Sequence, residues 1–118
     1  MEKIYTYAKF VIPDGQAERF KALAKTCFDT VQGKEPGTIF YEWFLNADET
    51  ECVAIDCYED MDALMAHVGN NKPAMSEILS FCERQLEIFG ANPMAQIGGG
   101  KTTAGDDAFY GSRFLGKL

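Results

Sequence analysis

The 118 residues, 47% of them hydrophobic, suffice for one domain with a sizeable core, and the net charge of -7 sets the chain against nucleic-acid backbones and anionic membranes, which would repel it. No apolar run approaches the roughly 18 residues of a membrane span, and Met1-Glu2-Lys3-Ile4-Tyr5 lacks the charged-then-apolar layout of a signal peptide. A cytoplasmic protein with a neutral or aromatic small-molecule ligand is therefore expected, and the scattered Cys27, Cys52, Cys57 and Cys82 read as buried free thiols.

Residues 3–12 alternate Ile4, Thr6, Ala8, Phe10 and Ile12 against Tyr5, Tyr7, Lys9 and Val11, the period of a strand. Pro13-Asp14-Gly15 ends it and offers Asp14 as a helix N-cap. From 16 to 33, Ala17, Phe20, Ala24, Cys27 and Val31 make one helical stripe, which Glu35-Pro36-Gly37 terminates. Residues 38–45 and 51–58 flank the polar turn 46–50 as a β-hairpin. A register with Leu45 opposite Glu51 pairs Trp43 with Val53, Tyr41 with Ile55 and Ile39 with Cys57. Glu42 and Asp56 then share the opposite face, where they read as charges fixing register between two copies, or as an acid for a pocket.

Glu59-Asp60 opens a second helix with Met61, Leu64, Met65 and Val68 inward. Asn70-Asn71-Lys72-Pro73 is expected to break it before a third helical stretch carrying Met75, Ile78, Leu79 and Cys82. Residues 84–89 make a fourth strand. The order β-α-β-β-α-α-β predicts an α+β, ferredoxin-like fold: a four-stranded antiparallel sheet with helices on one face. Tyr5, Tyr7, Val11, Phe40, Phe44 and Tyr58 fall on the other face, and a twofold sheet-to-sheet homodimer is the simplest cover for it.

Residues 1–92 thus form the domain. Residues 93–118 read as a Gly-rich linker and an aromatic tail that docks on the body or on a partner copy. Gly98-Gly99-Gly100-Lys101-Thr102 is not a phosphate loop, because Ala95 stands where the earlier glycine is required. Cys52 and Cys57, an odd number of residues apart on one strand, point to opposite faces and share no metal.

The run Glu35-Pro36-Gly37-Thr38-Ile39-Phe40-Tyr41-Glu42-Trp43-Phe44, the hairpin after it, and Asp56-Cys57-Tyr58-Glu59-Asp60 leading to Ala63-Leu64-Met65-Ala66-His67 resemble the antibiotic biosynthesis monooxygenase (ABM) family, over roughly residues 3–90. Within it, the layout is most similar to the quinol monooxygenases. The resemblance implies a dimeric α/β barrel and no cofactor, with dioxygen and a quinol-like or polyketide-like aromatic as substrates. It also implies an aromatic and an acid near Tyr58 and Asp56, and a histidine where His67 stands. Heme-degrading relatives use an asparagine on the first strand and a tryptophan and a histidine on the later helices; residues 1–12 have no Asn and no Trp follows the third strand, so heme degradation is not expected. A non-catalytic binder of aromatic metabolites and an isomerase of a small oxygenated metabolite remain alternatives.

His67, the sole histidine, carries an imidazole whose ordinary pKa of about 6.5 suits it to accept a phenolic proton; the plainer role is a hydrogen bond within the structure. Tyr41, Trp43, Phe10, Ile39 and Met65 are the candidate substrate-binding residues, by the flat or adaptable apolar surfaces they offer, and ordinary core packing is the alternative for each.

Overall fold

In the computed structural model, residues 3–90 are described in full, with the backbone of 101–102 and 105–110 and residue 116. Alternation builds the first strand as expected: β1 (Ile4–Val11) buries Ile4, Thr6, Ala8 and Phe10 and turns the residues between them to the other face. α1 (Ala17–Lys34) buries Phe20, Cys27 and Val31 from its stripe. Its N-cap is Gln16, which makes no side-chain capping bond, and not Asp14; the backbone N–H of Gln16 instead donates to the Pro13 carbonyl at 3.1 Å. β2 (Thr38–Leu45) and β3 (Glu51–Tyr58) form the hairpin. α2 (Met61–Leu79) is capped by Asp60, whose carboxylate accepts from the Ala63 N–H at 2.9 Å, and β4 (Glu83–Phe89) returns alongside β1.

β1 lies between β3 and β4, all antiparallel, with β2 outside β3, so the predicted α+β, ferredoxin-like sheet with helices on one face is present. The core lies between the sheet and the helices, where Phe10, Phe20, Cys27 and Ile78 are almost wholly buried. All four cysteines are buried. Among the described residues, no helix is long and apolar enough to cross a membrane.

Three features differ from the sequence reading. α2 is continuous through Pro73. The ring costs one backbone hydrogen bond, but buried Asn71 before it and buried Ile78 after it hold both halves to the body, so packing overrides the local breaker. Second, Leu45 pairs with Cys52, Trp43 with Ala54 and Tyr41 with Asp56, one residue away from the expected register. Asn46 Oδ1 accepts from the N–H groups of both Thr50 and Glu51, and Glu49 takes a positive φ of 59°; together they lengthen the turn by one residue. A bulge between Thr38 and Phe40 absorbs the offset. Third, inside the segment expected to be linker, the backbone forms β5 (Lys101–Thr102) and β6 (Gly105–Tyr110), and β6 extends the sheet in parallel beside β4. The expected docking of the tail's aromatic side chains, Phe109, Tyr110 and Phe114, lies outside what is described.

Candidate active site

The shifted register decides the site. A one-residue slip moves every side chain of a strand to the other face. Asp56 and Tyr58, expected on the outer face, therefore turn inward with Tyr41 and Trp43, and Asp56 no longer shares a face with Glu42. Asp56 is 7% exposed and Tyr58 fully buried, whereas Glu42 stays exposed.

Between this inner face and α2 lies a cavity of about 310 Å³. Phe10, Trp43 and Leu86 line its apolar part, with Phe10 and Trp43 stacked at a centroid distance of 5.7 Å. Tyr41, Asp56, Tyr58 and His67 line its polar part. Two expected substrate contacts are absent from it. Ile39 sits at the bulge and is 46% exposed, and Met65 points away from the sheet, one helical position past buried Leu64, and is 37% exposed. Phe10, Tyr41, Trp43 and His67 are brought together as neighbours of one space, and Met75 joins them from α2.

Glu35 fixes the imidazole. Its Oε1 lies 2.9 Å from His67 Nδ1 and accepts from the Thr38 hydroxyl at 2.9 Å, while Oε2 accepts from Asn71 Nδ2 at 3.1 Å and from Asn70 Nδ2 at 3.3 Å. Asn71 also donates to the His67 carbonyl, tying the carboxylate, the ring and the helix backbone together. A carboxylate beside Nδ1 assigns the neutral ring's proton to that nitrogen and leaves Nε2 as the acceptor, 3.9 Å from Asp56 Oδ2. The rings of Tyr41 and Tyr58 flank the imidazole, each with its centroid 5.1 Å away.

Gly37 makes the approach of Glu35 to α2 feasible. A Cβ at this position would come within 2.7 Å of Ala63 Cβ, and the Gly37 carbonyl accepts from the Glu59 N–H at 2.9 Å, just before α2 begins. In the sequence, Glu35 reads only as part of a helix terminator. Apart from Thr38, three residues on, its partners lie 32 to 36 residues away, and nothing local marks it.

Burial dominates the electrostatics. It pushes the Asp56 carboxyl up to about 6, although the Tyr58 hydroxyl, which donates to Oδ2 at 2.7 Å, nearby His67 and the Thr6 hydroxyl all favour the ionised form. Burial also raises the Tyr41 and Tyr58 phenols, so both stay neutral hydrogen-bond donors and not bases. Tyr41 Oη, Trp43 Nε1 and Asp56 Oδ1 are buried without a hydrogen bond of good geometry. Among the described residues, no group of three or more His, Cys, Asp or Glu side chains is placed to hold a metal ion.

Residues 4–76 match the family described as antibiotic biosynthesis monooxygenase. Among curated proteins, none matches. Solved structures extend the likeness in fold. MupZ from Pseudomonas fluorescens superposes with a TM-score of 0.76 at 21% identity, over 98% of this chain and 94% of that one. SnoaB, a cofactor-independent oxygenase from Streptomyces nogalater crystallised as its N63A mutant, gives 0.64 at 17% identity, over 75% of this chain and 92% of that one. A candidate antibiotic biosynthesis monooxygenase from Caulobacter crescentus CB15 gives 0.66 at 22%, over 73% and 86%. The MupZ alignment alone of these three runs far beyond the first 90 residues' share of the chain, so it takes in much of the segment that carries β5 and β6.

Proposed function

The chain belongs to the antibiotic biosynthesis monooxygenase family, and we propose that it is a cofactor-independent monooxygenase acting on a quinol-like or polyketide-like aromatic, with dioxygen as the second substrate. A monooxygenase-type function is what the family supports. The observation that carries the finer reading is the make-up of the cavity: stacked aromatic faces along one part, and at the other an imidazole oriented by a buried carboxylate.

Electron-rich phenols and anthrone-like ketones react with dioxygen once they lose a proton, because the anion gives up an electron far more readily. His67 Nε2 takes that proton, and Glu35 steadies the imidazolium that results. The neutral Tyr41 phenol is a donor for the substrate oxygen on which negative charge gathers, and the Trp43 and Phe10 faces seat the rings and keep water out. For a ring CH₂ flanked by aryl groups, one oxygen atom enters as a carbonyl and the other leaves as water with the two hydrogens.

The exposed apolar outer face supports a homodimer formed sheet to sheet. Val11, Phe44 and Ile55 stand there at 41%, 52% and 38% exposure, a set that a second copy would cover.

Labelled dioxygen tests the reaction. Wild type with an anthrone-like phenol is expected to place one labelled atom in the product and one in water, faster than a protein-free blank. Product formation no faster than that blank, across a panel of quinols and anthrone-like phenols, would refute the reading.

A further inference from the structure

We propose that Asp56 is a second acid–base residue of this cavity, exchanging protons with His67, and that Glu35 is the positioning residue that keeps His67 Nε2 turned toward it. This rests on the reading of the cavity given above and adds to it the group that completes its proton traffic.

The chemistry gives a second group a use. When a CH₂ becomes a carbonyl, two protons leave the substrate: one before oxygen adds, the other from the same carbon as the peroxide O–O bond breaks. A lone imidazole must return the first proton to the peroxide before it can take the second, whereas a partner carboxyl that stores the first proton leaves the ring free throughout. With a pair, the substrate proton moves to Nε2 and on to Asp56, oxygen adds to the carbanion, and Asp56 protonates the outer peroxide oxygen. His67, neutral again, removes the second C–H proton. That C–H pair becomes the second C–O bond of the carbonyl as hydroxide departs, and the imidazolium protonates the hydroxide to water. Two protons go out and two return, and the oxidant is dioxygen alone.

The geometry fits this exchange. His67 Nε2 and Asp56 Oδ2 face each other at 3.9 Å, just beyond direct hydrogen-bond contact. Asp56 Oδ2 is held by the Tyr58 hydroxyl, while Oδ1 is buried with no partner of good geometry. The imidazole therefore sits between two carboxylates from different elements: Glu35, before β2, and Asp56, on β3. The other ionisable groups around it are Tyr41 on β2, Tyr58 on β3, Cys27 on α1, Lys72 on α2 and Arg84 on β4. Tyr41, Tyr58 and Cys27 are all pushed upward and stay neutral, the thiol to about 11, which leaves the two carboxylates as the acidic groups able to trade a proton with the ring. Glu35 accepts from the ring and from three other donors, whereas one oxygen of Asp56 has no partner of good geometry.

The single histidine gives a readout that requires neither substrate nor oxygen. In the full chain labelled with ¹⁵N in the imidazole and ¹³C in the Asp carboxyls, the neutral ring is expected to carry its proton on Nδ1, and the Nε2 signal to inflect at the pH where the Asp56 carboxyl carbon titrates. Asp56→Asn should erase that inflection while leaving Nδ1 protonated, and Glu35→Gln should shift the ring toward the Nε2–H tautomer. If a variant fails to fold, the shared inflection in wild type alone decides the matter. Independent titration of the two groups in wild type, or a neutral ring protonated on Nε2, would overturn the proposal even if oxygen uptake were observed. Absence of oxygen uptake would sink the oxygenase reading and leave the titration result standing on its own.

Discussion

The two faces of the sheet are built from the same alternating strands and carry opposite kinds of exception. The inner face, covered by helices, buries charged and polar groups: Asp56, Thr6 and, from beside it, Glu35, His67 and Asn71. The outer face, covered by nothing in this chain's described residues, exposes large apolar groups, among them Val11, Phe44 and Ile55. Buried polar groups cost stability unless they are paired, and exposed apolar groups forfeit what burial would supply. Each departs from what a minimal stable monomer needs, and each marks a place where something else is expected: a ligand inside, a second copy outside.

The largest expected effect is on the inner face and is catalytic. His67→Ala should lower the protein-dependent rate of oxygen uptake by about 10²- to 10⁴-fold, the usual contribution of a positioned base, with the fold retained by circular dichroism. A stability effect of comparable free energy belongs to the core beneath it. Phe20→Ala empties a site 1% exposed and in ring contact with Phe10 and Trp43, and should cost about 3–5 kcal/mol in urea unfolding.

Asp56 supplies the pH dependence. Its carboxyl titrates near 6 in the folded state against 3.8 for the free group, so between those values the folded chain binds more protons than the unfolded one. Stability from this group is therefore fully present at low pH and is lost as pH rises through about 6, by on the order of 3 kcal/mol. The difference in unfolding free energy between wild type and Asp56→Asn, followed from pH 4 to 7, should change in that direction; a flat difference would remove the burial argument for Asp56.

Smaller effects separate the faces further. Gly37→Ala places a methyl group 2.7 Å from Ala63 Cβ and should cost about 1–3 kcal/mol while loosening the approach of Glu35 to His67. On the outer face, Phe44→Ser should change the stability of a monomer by no more than about 0.5 kcal/mol. In sedimentation it should convert a homodimer to monomer, and a wild type that sediments as a monomer would end the explanation offered for that face.

Much of this division was legible in the sequence. Alternation in residues 3–12 and the stripe through Phe20, Cys27 and Val31 fix which sides meet, because burial of period-two and period-3.6 patterns depends on local spacing alone. Tyr41, Trp43 and Phe10 reach the cavity for the same reason. What escaped was set by single residues acting at a distance or against propensity. The Asn46 side chain lengthens a turn by one residue and thereby carries Asp56 and Tyr58 from the outer face to the inner one. The compensating bulge expels Ile39, Pro73 is tolerated inside a packed helix, and Glu35 meets His67 only in three dimensions. The acid–base part of the site was therefore the least visible, although its histidine was in plain view.

The most direct test of the central claim, that the inner cavity is an oxygenase site run by His67, is oxygen consumption with an anthrone-like phenol by wild type, His67→Ala and a protein-free blank. Uptake by wild type well above the blank, falling in His67→Ala to near the blank, is the predicted result; three indistinguishable traces would contradict it.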